Sequence, residues 1–76
     1  MSSSPADKLV VMDNQMGRFF VPQRGIDPAA AIANHINKFW EPRMRAAIVA
    51  HLEVGGAGMD GPVRDAVGRL KEASKG

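Results

Sequence analysis

The sequence predicts an all-α fold, a small bundle of about four short helices. Apolar residues recur at spacings of three and four along four separate segments, the period of a helix with one buried face. Proline or Asp-Pro opens these segments, and glycine or proline follows where they end. No stretch alternates as a strand does, and no internal repeat is convincing.

The first helix is predicted from about Pro5 to Phe20. Ser4 is placed to cap it, and Pro5 suits the first turn, where an N–H has no intrahelical partner. Leu9, Met12, Met16 and Phe19 or Phe20 make its apolar face. "VPQRG" breaks the pattern. Asp27-Pro28 then repeats the cap-plus-proline signal and opens a second helix through about Phe39, with a stripe of Ile32, Ile36 and Phe39 or Trp40. Pro42 marks the next boundary, because the residue before a proline is pushed out of the helical region. The third helix spans about Pro42 to Glu53, with Met44, Ile48 and Leu52 on one face. Gly55 or Gly56 ends it by accepting a left-handed C-terminal conformation. Asp60 is placed to cap a fourth helix, about Pro62 to Ala73, with Val63, Val67 and Leu70 facing inward. Ile32, Ile36, Ile48, Leu52, Val67 and Leu70 are the expected core. Residues 1–76 read as one domain, with 1–4 and 74–76 as frayed tails.

Composition narrows the function. A chain of 76 residues buries only about 60% of its unfolded surface, so a partner is expected to help stabilise it. There is no cysteine, which excludes a disulfide framework and a thiolate metal site. "MSSSPADK" lacks the apolar segment of a signal peptide, and no apolar run is long enough to span a bilayer. A cytoplasmic protein is the expectation. The formal net charge of +2, with both signs mixed along the chain, is a weak basic bias.

The catalytic inventory is thin. Every serine lies in a terminal tail, and the carboxylates read mostly as helix caps or exposed helical positions. No catalytic, cofactor-binding or metal-binding residue is expected. His35 and His51 are sixteen residues apart and form no metal-binding pair, so each reads as a half-buried histidine bonded to a carbonyl or carboxylate. "GGAG" lacks the Lys-Ser/Thr of a phosphate loop and follows no strand, so it reads as a helix stop and turn.

The densest stretch is "NHINKFWEPRMRAAIVAHLEVGGAG". Arg43, Ala47 and His51 share one face of the third helix beside the Met44-Ile48-Leu52 stripe, while Arg45 lies on roughly the opposite side. Apolar or small residues on more than one side predict a second contact surface, with Trp40 and an arginine as anchors. The competing reading has Trp40 closing the core and both arginines solvated.

These residues also carry a family resemblance. "DKLVVMDNQMGRFF" and "IANHINKFWEPRMRAAIVAHLEVGGAGMDGPVRDAVGRL" resemble the delta subunit of bacterial NAD-dependent, molybdenum-containing formate dehydrogenase, over about Asp7 to Leu70. The most specific pieces are H-I-x-K-F-W-x-P-R-M-R, His35 to Arg45, and H-L-x-x-G-G-A-G, His51 to Gly58. The resemblance implies a non-catalytic accessory subunit that binds the complex and supports its assembly, stability or cofactor state. The implied partners are the large alpha subunit and the beta and gamma subunits. They are implied to carry bis-molybdopterin guanine dinucleotide with molybdenum or tungsten, iron–sulfur clusters and FMN, with no cofactor in this chain. The expected partner-binding residues are His35, Lys38, Phe39, Trp40, Pro42, Arg43, Met44, Arg45, His51, Gly55, Gly56 and Gly58. A transient assembly factor differs from this reading only in its lifetime on the complex. The alternative is a free-standing nucleic-acid-binding helical protein, motivated by Arg43, Arg45, Arg64 and Arg69. Asp65, Glu41 and Glu53 interrupt that basic set.

Overall fold

A computed structural model describes residues 5–75, and these form four helices with no strand among them. They are α1 (Pro5–Phe20), α2 (Pro28–Phe39), α3 (Pro42–Glu53) and α4 (Gly61–Lys75). The expected Ser4 cap and the expected tail at residues 1–4 lie outside the described residues. The bounds of α2 and α3 are those read from the proline and glycine signals. Helix α4 begins one residue earlier than expected and runs on to Lys75, two residues beyond the expected end.

The core is a single cluster to which all four helices contribute. Ile32 and Ile36 of α2, Ile48 of α3, and Val63, Ala66 and Val67 of α4 are completely buried. Leu9, Val10, Ala29, Trp40, Met59 and Leu70 complete it, and Met44 and Leu52 pack against it half-buried. The closest packing joins α2 to α4, with α1 and α3 laid against that pair. Gly17 lets α1 approach closely. A Cβ there would stand 3.2 Å from Val63 Cγ2 and 3.7 Å from Ile32 Cδ1.

The structure resolves the open choices at the ends of two faces and moves one expected residue, Met12, to the outside. On α1 the inward positions are Leu9, Val10, Asp13, Met16, Gly17 and Phe20, while Met12 is exposed and Phe19 is two-thirds exposed. Doublets of apolar residues left the phase of this helix open by about 100°, and Gly17 against Val63 and Ile32 decides it. At the end of α2, Trp40 is inside and Phe39 outside.

Asp27 fastens the start of α2. Its Oδ1 accepts from the backbone N–H groups of Ala29 (3.1 Å) and Ala30 (3.4 Å). Its Oδ2 accepts from Arg69 Nη1 at 2.9 Å, and Arg69 also reaches Asp65 one turn back on α4. The hydrogen bond from Arg69, reinforced by the backbone donors, holds the Asp27 carboxyl below the usual carboxylate range.

Asp13 is the exception within the core. It is completely buried, and neither carboxylate oxygen has a hydrogen-bond partner among the described residues. Removal from water pushes its pKa up to about 7. Asp13 is thus an exception to the reading of the carboxylates as mostly caps or exposed positions.

Candidate docking surface

The α2–α3 corner follows from local backbone chemistry. Pro42 holds Glu41 extended (φ −66°, ψ 154°), and Trp40 before it is extended too (φ −87°, ψ 139°). Two extended residues turn the chain and swing the Trp40 ring into the core, where 5% of the residue remains exposed. Its neighbour Phe39 is 71% exposed and rests on the His35 ring, centroid to centroid 4.7 Å. Arg45, half-buried, reaches back over the corner and donates from Nη1 to the carbonyl of Trp40. Arg43 and Lys38 are exposed, and Met44 packs inward.

The opposite end of α3 closes on glycines. Gly56 N–H donates to His51 O at 2.9 Å and Gly55 N–H to Leu52 O at 3.0 Å, the paired bonds of a glycine C-cap. Gly55 and Gly56 have φ of 120° and 62°, where a side chain is strained. Arg64 of α4 clamps this turn, donating to Gly56 O (2.8 Å) and Gly55 O (3.0 Å). The His51 Nε2 lies 2.9 Å from Ala57 O. Asn14 of α1 ties the same loop to the first helix, donating to Gly58 O (2.8 Å) and accepting from Asp60 N–H (3.0 Å). A carbonyl-rich turn that would otherwise be loose is thus held by side chains from three helices.

A family model for the NADH-dependent formate dehydrogenase delta subunit FdsD matches residues 8–67, which contain both the corner and the glycine turn. The chain belongs to the FdsD family. No curated protein and no solved structure matches it.

Within this FdsD chain the expected contact residues fall into two groups at opposite ends of α3. The helix has twelve residues, about 18 Å at 1.5 Å per residue. Lys38, Phe39, Pro42 and Arg43 form the exposed part of the first group, and Gly55 and Gly58 that of the second. Trp40 and Gly56 are buried. Of the two readings of Trp40, this places its ring in the core, and the exposed aromatic of the pair is Phe39. Arg45, His51 and Gly56 serve the fold through the bonds just described.

Two residues that fasten this surface were not singled out for it, Asn14 and Arg64. They reach the turn from 44 and 8 residues away. Of the four arginines that motivated the nucleic-acid alternative, Arg45, Arg64 and Arg69 are bonded within the protein. Among the described residues no group of three His, Asp or Glu is placed to hold a metal, and no helix is long and apolar enough to cross a membrane.

Proposed function

We propose that this chain is a non-catalytic accessory subunit of a cytoplasmic, NAD-dependent formate dehydrogenase, and that it supports the assembly, stability or cofactor state of that complex. The observation that carries this reading is the match to the delta-subunit family over residues 8–67. On this reading the partners are the alpha, beta and gamma subunits, and those subunits bear the molybdenum or tungsten cofactor, the iron–sulfur clusters and FMN. The exposed corner supports a docking role. Phe39 presents a large apolar ring to solvent, held in place by His35, with Arg43 nearby in sequence. Aromatic and arginine side chains supply much of the binding energy at protein interfaces.

The test is to express the formate dehydrogenase subunits with and without this chain. Tagged chain is expected to carry the large subunit with it through purification, and its omission is expected to lower assembled or cofactor-loaded enzyme. Full yield, loading and activity without the chain, together with no co-purification, would refute the proposal. Stoichiometric recovery identifies a permanent subunit, and substoichiometric recovery a transient assembly factor.

A further inference from the structure

A groove of about 580 Å³ runs along α3, between it and the C-terminal part of α4, with Asn37 of α2 also on its lining. Its walls are mostly apolar, built from Pro42, Ala46, Val49, Leu70 and Ala73, and Asn37 adds one neutral polar group. Arg45 lines one end, and Glu53, eight residues further along α3, lines the other.

The two ends differ electrostatically. Glu53 is paired with Lys71, at 3.3 Å, so its charge is answered within the protein. Arg45 has no carboxylate partner among the described residues. Its bond to the Trp40 carbonyl fixes the guanidinium and leaves further N–H donors unused. Eight residues of helix put Glu53 about 12 Å away along the axis. That exceeds the screening length of about 8 Å at physiological salt, so Glu53 does not neutralise Arg45. The groove therefore offers an apolar trough with one pre-positioned, half-buried cation at its head.

We propose that this groove seats a segment of a partner protein that presents apolar side chains and one carboxylate, the carboxylate pairing with Arg45. A free carboxylate ion would satisfy the guanidinium and leave the apolar walls wet. A second copy of this chain fits less well. A symmetric pairing needs the carboxylate within the same patch, and the carboxylate that lines this groove, Glu53, already faces Lys71. A planar guanidinium held by one bond is suited to two-pronged binding of a carboxylate. The proposal rests on the chain being a subunit of a larger assembly, and it deepens that reading by naming a second contact face beside the Phe39 corner.

The experiment compares tagged full-length variants for co-purification of the formate dehydrogenase subunits. Ala46→Trp fills the groove from an exposed position and removes no described contact. Arg45→Glu reverses the charge. Asn34→Trp, exposed on α2, is the control for added bulk. Recovery is expected to fall by about tenfold or more for Ala46→Trp and for Arg45→Glu, with Asn34→Trp equal to the parent. Circular dichroism and melting curves report whether each variant is folded. Because Arg45 also caps the α2 corner, Ala46→Trp decides. If folded Ala46→Trp recovers the subunits as the parent does, the groove assignment is wrong while the subunit reading stands. Equal loss in Asn34→Trp would also overturn it. A parent chain that captures no subunit removes both readings. A parent that sediments as a dimer, with Ala46→Trp a monomer, would give the groove to a second copy instead.

Discussion

The buried carboxylate of Asp13 makes folding take up a proton. In the unfolded chain the group titrates near the ordinary value for an aspartate, 3.8, and in the folded protein at about 7. Between those values the folded state holds a proton that the unfolded state has released. The contribution of Asp13 to stability is therefore greatest at low pH and falls as pH rises, the reverse of a paired carboxylate such as Asp27. A difference of about three pKa units corresponds to about 4 kcal/mol at 1.36 kcal/mol per unit, fully expressed only above pH 8. Between pH 5 and pH 8 the same linkage predicts a loss of about 2–3 kcal/mol. That is a large part of the roughly 4–11 kcal/mol expected for a chain of this size. The assay is urea unfolding followed by circular dichroism at pH 5, 6, 7 and 8, for the parent and for Asp13→Asn. The asparagine keeps the shape and a polar group but cannot ionise, so subtracting its curve removes the contributions of the histidines and the other carboxylates. The expected result is a parent that loses about 2–3 kcal/mol relative to Asp13→Asn across this window. Parallel pH curves for the two proteins would refute the reasoning and would mean that Asp13 is hydrated or paired in solution.

Trp40→Ala is expected to cost about 3–5 kcal/mol, because it empties a site that is 5% exposed, and to be read as a large fall in melting temperature. Phe39→Ala and Arg43→Ala, both at exposed positions, are expected to stay within about 0.5 kcal/mol of the parent in unfolding and to weaken co-purification with the large subunit. Unchanged recovery for both would remove the corner from the interface. Gly56→Ala is expected to destabilise by at least about 1–2 kcal/mol in urea unfolding, since φ is 62° and the new Cβ would stand 2.7 Å from Arg64 Nη1. Arg64→Ala is expected to cost about 1–3 kcal/mol in the same assay by stripping two carbonyls of a charged donor.

The bounds of α2 and α3 were legible in the sequence because they depend on chemistry within a few residues. Asp27 before Pro28 supplies a cap and a first-turn residue. Pro42 forces the residue before it out of the helix, and Gly55 accepts a backbone angle that other residues resist. The core of α2, α3 and α4 was legible for a related reason, since isolated Ile, Val and Leu at helical spacing define one phase. The family followed from the ordered combination of Trp, Pro, Met, Arg and Gly between His35 and Gly58.

What only the tertiary structure decided is which member of each ambiguous set faces inward and which distant side chain reaches it. Leu9-Val10-Val11-Met12 and Phe19-Phe20 allow more than one rotation of α1. The contact of Gly17 with Val63 and Ile32 chose the one that buries Asp13 and exposes Phe19. Phe39 and Trp40 are equally apolar neighbours, and the extended corner put Trp40 inside. Arg64 and Arg69 read from the sequence only as members of a basic set, and Asn14 had no assigned role, yet they fasten the glycine turn and the start of α2. Local sequence determines where a backbone can be helical, because the forces involved act over one or two turns. Which long polar side chain finds an unpaired carbonyl or carboxylate depends on elements that meet only when the chain has packed.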